Sequence, residues 1–455
     1  MLSVQVQAAS LPGEIAQSMR ISDLDPENVA IYIREVSKKT PLLSWQSRKP
    51  MSPASTMKLV TTYASLSLLG QAYKWKTEAY TSGKMANGVL DGQLILKGYG
   101  DPKLDIERLW LFVNDLRARG LKDIRGGLLF DRSYFGAQGN PGSFDGKRFR
   151  PYNVVPDALL ANFEANSIRF VPEGHSVKLI LLPAFSSLSV SNGIRPVAGP
   201  CKDWQDGILE EVASDGKSAR LSLSGTYPDS CGEKFDDIAA YDHSEYLFQL
   251  FSRLWRESGG KIEGTWHEGK LPEDAKLFST TYSPPLSSLV VDMNKYSNNV
   301  MARQIFLTLG TLKSTPGTEE AARSVVKSWL ASRHLDFPEL YMENGSGLSR
   351  QARISAGHMG ELLIDAFESP LMPVFYSSLP VAGIDGTMKK RLKDSIVTGR
   401  AYIKTGSLEN VKAIAGVIQA KSGKRYVIVC IINDPKAATS KPFEDRLLLW
   451  LDEHG

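Results

Sequence analysis

Cysteine and histidine are scarce in this chain. It has three cysteines and six histidines among 455 residues. No Cys-x-x-Cys or His-Glu-x-x-His pattern occurs, and His175, His243, His267, His334, His358 and His454 are scattered. The familiar zinc signatures are therefore excluded, and neither a metal nor another cofactor is expected. No apolar run is long enough to cross a bilayer, so a transmembrane anchor is not expected. A net charge of +4 without any Lys/Arg block gives little support to nucleic-acid binding. Met1–Ser10 lacks the basic start and apolar centre of a complete export signal, although its Val-Gln-Ala-Ala stretch is compatible with the tail of a trimmed one.

The few cysteines are informative by position. Cys201 and Cys231 bracket a polar, turn-rich segment and could close it as a disulfide. Cys430, inside Tyr426-Val-Ile-Val-Cys-Ile-Ile432, reads as a buried free thiol. One such bond fits an oxidising compartment such as the periplasm. With 42% apolar and 23% charged residues, the chain has the composition of a globular protein large enough for two or three domains.

The stretch Pro53-Ala-Ser-Thr-Met-Lys58 and its continuation to Gly70 stands out. Leu59, Tyr63, Leu66 and Leu69 recur at helical spacing, and Gly70 can end the helix. Ser55 then lies in the first turn with Lys58 three residues on, both on one face. A serine there feels the positive end of the helix dipole, and a neutral lysine amine one turn away can take its proton. Burial and a second cation would keep that amine neutral. The spacing also occurs at Ser214/Lys217, Ser258/Lys261 and Ser324/Lys327, so by itself it is a weak sign.

Along the chain, residues 28–35 and 41–46 read as a strand hairpin ahead of the Ser55 helix. Strands at 90–97 and 124–131 flank an amphipathic helix at 104–119. Short strands, including 176–182 and 219–225, form an all-β stretch around the two cysteines. A helix at 243–259 and a strand at 260–266 close the inserted region. From about 278 the pattern is helical with breaks. A strand meander follows at 400–406, 411–420 and 424–433. The last helix puts Phe443, Leu447, Leu448 and Leu451 on one face. One antiparallel sheet could take strands from both chain ends, with the Ser55 helix packed on it.

Two further motifs follow. Ser297-Asn298-Asn299 is the only Ser-x-Asn, and Lys404-Thr405-Gly406 the only Lys-Thr-Gly. Read blandly, the first is a helix N-cap and the second a surface strand. At an edge strand, Gly406 would let a peptide substrate come close. Together with Ser55/Lys58, in this order, they form the signature of penicillin-binding proteins and class A β-lactamases. The chain resembles the penicillin-binding protein type 4 family, the D-alanyl-D-alanine carboxypeptidase/endopeptidases of peptidase family S13. The long interval between Ser55 and Ser297 matches that family's two extra domains. Gly98-Tyr-Gly-Asp-Pro102, Asn344-Gly-Ser-Gly-Leu-Ser-Arg350 and Asp385-Gly-Thr387 resemble further family strings.

The resemblance implies an α/β (α+β) fold: a β-lactamase/transpeptidase-like domain at 1–78 and 278–455, with an antiparallel sheet flanked by helices. It implies two inserted smaller domains, one α+β at 79–171 and 237–277 and one all-β at 172–236. The implied activity is serine D,D-carboxypeptidase/endopeptidase action on peptidoglycan stem peptides in the periplasm, with β-lactams as covalent inhibitors. Ser55 would be the nucleophile, Lys58 the base and Ser297 the proton relay. Asn299 would bond the substrate amide, and Lys404 and Thr405 the terminal carboxylate. The backbone N–H groups of Ser55 and Ser407 would form the oxyanion hole. Asp145 is a weak candidate for the stem-peptide diamino acid, since a turn role explains it as well. Tyr296 and Asn298 satisfy a rival Tyr-x-Asn register, as in class C β-lactamases. A homo-oligomer stays open. The rival functions are a β-lactamase or esterase on the same scaffold and a non-catalytic wall-binding protein.

Overall fold

The computed structural model describes residues 11–137 and 144–455. Met1–Ser10, the stretch compatible with the tail of a trimmed export signal, lies outside them. The chain divides into two compact units, residues 1–73 with 284–455, and residues 74–283.

The first unit is built on a five-stranded sheet that draws on both chain ends. Its strands are β1 (Val29–Glu35), β2 (Leu43–Trp45), β3 (Ala401–Leu408), β4 (Val411–Gln419) and β5 (Arg425–Asn433). Their order is β3-β4-β5-β1-β2, with every neighbour antiparallel. Alternation sends Val29, Ile31 and Ile33 to one face, into a cluster with Ile15, Met19, Phe443, Leu447 and Leu451. Those partners come from two helices, Gly13–Ile21 and Lys441–His454. Truncating one such residue, Leu447→Ala for example, typically costs about 2–5 kcal/mol. On the opposite face Tyr32 meets a helix at Ala356–Glu368. That helix comes close because it has Gly360, where a Cβ would lie 2.2 Å from the Tyr32 ring.

Ser55 lies in a 3-10 turn, Ala54–Met57, that leads straight into helix α1 (Lys58–Leu68). The turn packs on β3 and β4, while α1 packs against helices α2 (Leu286–Lys295) and α3 (Asn299–Thr311). The sheet thus receives the turn rather than the length of the helix. Gly70, at φ +86°, follows the helix end.

In the second unit the strand expected at 124–131 is two, Asp123–Ile124 and Leu128–Asp131. Gly126 and Gly127 separate them, and a Cβ on Gly126 would lie 2.6 Å from the Gly92 backbone. The strand expected at 260–266 is likewise split, into Lys261–Ile262 and Trp266–Glu268, around Gly264 at φ +78°. Lys276–Tyr282, placed partly in the helical region by the sequence, is a strand antiparallel to Lys76–Ala86. Its cross-strand partners override a local pattern that carries little period-2 signal. Two three-stranded sheets occupy residues 166–238, and the Cys201–Cys231 disulfide lies within that stretch. Cys430 is free and buried in β5. Helices Ile106–Ala118 and His243–Glu257 pack through Leu109, Phe112, Leu250 and Leu254.

Candidate active site

Lys58 is fully buried, and its Nζ has three polar neighbours. Ser55 Oγ lies at 2.9 Å, Asn299 Oδ1 at 2.6 Å and the Ser346 carbonyl at 2.7 Å. None of them is a carboxylate. Burial, and then the nearby Lys404 cation, push the Lys58 amine well below the usual lysine range. Lys404 is also fully buried, and burial pushes its amine down to about 7. It donates to Ser297 Oγ at 2.9 Å and to the Thr405 carbonyl at 2.8 Å. Each lysine therefore holds one polar residue of the Ser-x-Asn motif, and that motif ties the other two together.

The N-cap of α3 is Asn298, whose Oδ1 accepts from Met301 N–H at 3.0 Å. Capping and site roles thus fall on different residues, and Asn299 is left to face Lys58. Ser297 precedes the cap at φ +55°, a left-handed conformation that costs a non-glycine residue about 1–3 kcal/mol. Ala54, just before the nucleophile, has φ +46°. Tyr296 of the rival register is 74% exposed, and Lys404 bonds its neighbour Ser297 instead.

Lys404, Thr405 and Ser407 lie on β3, the edge strand of the sheet. Residues 380–382 cover its first half: Ile403 N–H donates to the Pro380 carbonyl at 2.8 Å, and Ala382 N–H to the Ala401 carbonyl at 2.9 Å. Outward-facing backbone groups alternate along such a strand, so Thr405 and Ser407 are the next to present theirs. Gly406 has a tighter duty than the substrate approach expected of it. A Cβ there would lie 2.7 Å from the Pro53 carbonyl and 3.1 Å from Ser55 N, so glycine lets the strand touch the Ser55 turn.

Sequence reasoning left several participants without a role. Ser346 lies in the Asn344–Arg350 string, where Asn344 Oδ1 accepts from both the N–H and the hydroxyl of Ser346. Gly347, at φ +79°, has no room for a Cβ, which would fall 1.8 Å from the Ala54 carbonyl. Thr387 bonds Thr405. Lys412 donates to Ser407 Oγ at 2.7 Å. The signal for the first three was present in the Asn-Gly-Ser-Gly and Asp-Gly-Thr strings, which also read as turns. Asp145 is in the second unit. Its carboxylate accepts from Lys147 N–H, Tyr152 Oη and Asn153 Nδ2, which is a turn role. Among the described residues no cluster of His, Cys, Asp and Glu could hold a metal ion, and no helix is long and apolar enough to cross a membrane.

The model of the D-Ala-D-Ala carboxypeptidase 3 (S13) family matches residues 11–454. The D-alanyl-D-alanine carboxypeptidase DacB of Haemophilus influenzae is 26% identical over 432 residues, covering 91% of this chain and 88% of the relative. The crystal structure of penicillin binding protein 4 from that organism superposes with a TM-score of 0.80 at 23% identity, over 96% of this chain and 99% of the other. The same protein complexed with a novel β-lactam superposes with a TM-score of 0.75, again at 23% identity and over 96% and 99% of the two chains.

Proposed function

The chain belongs to the D-Ala-D-Ala carboxypeptidase 3 (S13) family, and from that premise we propose how its residues divide the work of a serine D,D-peptidase. The protein is a serine-type D-Ala-D-Ala carboxypeptidase acting on peptidoglycan, and β-lactams acylate it. One observation carries the assignment of roles: a buried amine with no carboxylate among its described hydrogen-bond partners, 2.9 Å from a serine hydroxyl.

A neutral lysine has two N–H donors and one lone pair. Asn299 Oδ1 and the Ser346 carbonyl can each accept one donor. The lone pair then faces the Ser55 hydroxyl, as a general base requires. Ser55 attacks the carbonyl of the penultimate D-alanine while Lys58 takes its proton. The tetrahedral oxyanion is bound by the backbone N–H groups of Ser55 and Ser407, each worth about 3 kcal/mol in such sites. Ser297 passes a proton to the leaving amine. Lys404 supports this relay and, with Thr405, binds the terminal carboxylate of the substrate. Asn299 bonds the substrate amide as well as orienting Lys58. Water then hydrolyses the acyl-enzyme on Ser55.

Ser55, Lys58, Ser297 and Lys404 make no hydrogen bond to a carboxylate among the described residues. A β-lactamase needs a group that activates water for fast deacylation, and that arrangement favours the peptidase. The Cys201–Cys231 bond and the peptidoglycan substrate support a periplasmic location. The test is intact mass after incubation with a penicillin. A stable adduct of one penicillin mass, absent in Ser55→Ala, is expected. An adduct that persists in Ser55→Ala would overturn the choice of nucleophile, and one lost within seconds would indicate a β-lactamase.

A further inference from the structure

The Asp385-Gly386-Thr387 string has no part in the chemistry above, yet it borders the open part of the edge strand. Residues 380–382 occupy the edge of β3 as far as Ile403. A substrate backbone that pairs with Thr405 and Ser407 cannot run on past that point. Its chain must end beside Thr405, and there it meets Thr387. The Thr405 hydroxyl donates to Thr387 Oγ1 at 2.7 Å, which leaves the proton of the exposed Thr387 hydroxyl to be offered outward.

Thr387 is held firmly. Asp385 accepts from Val381 N–H at 2.9 Å and ion-pairs with Lys295, the last residue of α2. Gly386, at φ +56°, lies against that helix end, where a Cβ would come 2.7 Å from the Lys295 carbonyl. Met388 is buried and anchors the other side. Lys295 is two residues before Ser297, so the clamp refers Thr387 to the second motif as well as to the third.

We infer that Thr387 is a specificity-determining residue: paired with Thr405, it hydrogen-bonds the C-terminal carboxylate of the substrate at a groove end closed by residues 380–382. The inference rests on the reading of Lys404 and Thr405 as the carboxylate site. When a carboxylate enters, the Thr405 hydroxyl can rotate from Thr387 Oγ1 toward it, so that each of the two adjacent hydroxyls donates to one oxygen, and such charge-assisted bonds are the strong ones.

The experiment compares two acyl-D-Ala-D-Ala substrates, the free acid and its carboxamide, on wild type, Thr387→Val and Thr387→Ser. Loss of a hydrogen bond to a charged group should lower kcat/KM for the acid by about ten- to hundredfold in Thr387→Val. On the carboxamide, which offers only a neutral acceptor, the loss should be several-fold at most, and its turnover also shows that the variant is folded. Thr387→Ser should keep most of the preference for the acid. Equal losses on both substrates, or no loss on either, would overturn the inference while leaving the peptidase reading intact. A wild-type enzyme that cleaves neither substrate and takes no penicillin would overturn both.

Discussion

Buried charge is handled in opposite ways at two places, one in each unit. In the inserted unit Arg132 bonds Asp157 at 2.6 Å and also pairs with Glu268, and Ser244 joins the same cluster. Burial alone would lower its pKa, but the two carboxylates outweigh that and the guanidinium ends above its usual range. Next to it His243 is set against the buried Glu164. Around Ser55, by contrast, Lys58 and Lys404 are fully buried among neutral oxygens. A paired charge holds a fold in place and stays charged. An unpaired buried amine releases its proton more readily, and Lys58, where the Lys404 cation adds to burial, becomes the base. Burial beside countercharges therefore yields structure at Arg132, and the deeper burial without one yields reactivity at Lys58.

Changing the base should break this contrast most severely. Lys58→Arg should slow penicillin acylation on the order of ten-thousandfold, because a guanidinium stays protonated and cannot serve. Intact-mass time courses read this directly, and retention of even a tenth of the rate would refute the role of Lys58. Ser297→Ala should slow acylation by roughly two to four decades, the usual cost of losing a proton-transfer group. Tyr296→Phe should stay near wild type. If the two variants exchange behaviour, the rival Tyr-x-Asn register is the right one.

Arg132→Met sharpens the comparison from the other side. It removes the guanidinium that pairs with Asp157, itself only 8% exposed. Removing one partner of a fully buried pair costs about 3–5 kcal/mol, and the quarter exposure of Arg132 reduces that to about 1–3 kcal/mol. Thermal unfolding should show this loss, with penicillin acylation at the wild-type rate. A variant of normal stability with impaired acylation would mean that the cluster is not structural.

Much of this was legible in the sequence, for physical reasons that differ from place to place. The sheet was readable because its central strands are buried on both faces and carry continuous apolar runs, as in Tyr426–Ile432. The nucleophile and base were readable because i and i+3 on a helical turn share a face. The Ser297/Asn299 choice was less so, since a helix start wants a capping residue and three polar residues in a row compete for it. Asn298 takes the cap, and local propensity alone does not say which of the three does. Gly347 and Gly406 were turn and approach residues in the sequence. Their duty, to let two distant segments touch the Ser55 turn, exists only in the packed fold. The splits at Gly126–Gly127 and Gly264 escaped for the same reason.

The pH dependence of penicillin acylation tests the central claim most directly. Only neutral Lys58 can take the Ser55 proton, so the rate should rise with pH through the Lys58 pKa and then level. With that pKa lowered by burial and by Lys404, the rise should finish well below the ordinary lysine value of about 10.4. Lys404→Met removes the second cation, which should raise the Lys58 pKa and move the rise to higher pH. A wild-type rate that still climbs through the ordinary lysine range, or a rise that stays in place in Lys404→Met, would contradict the account.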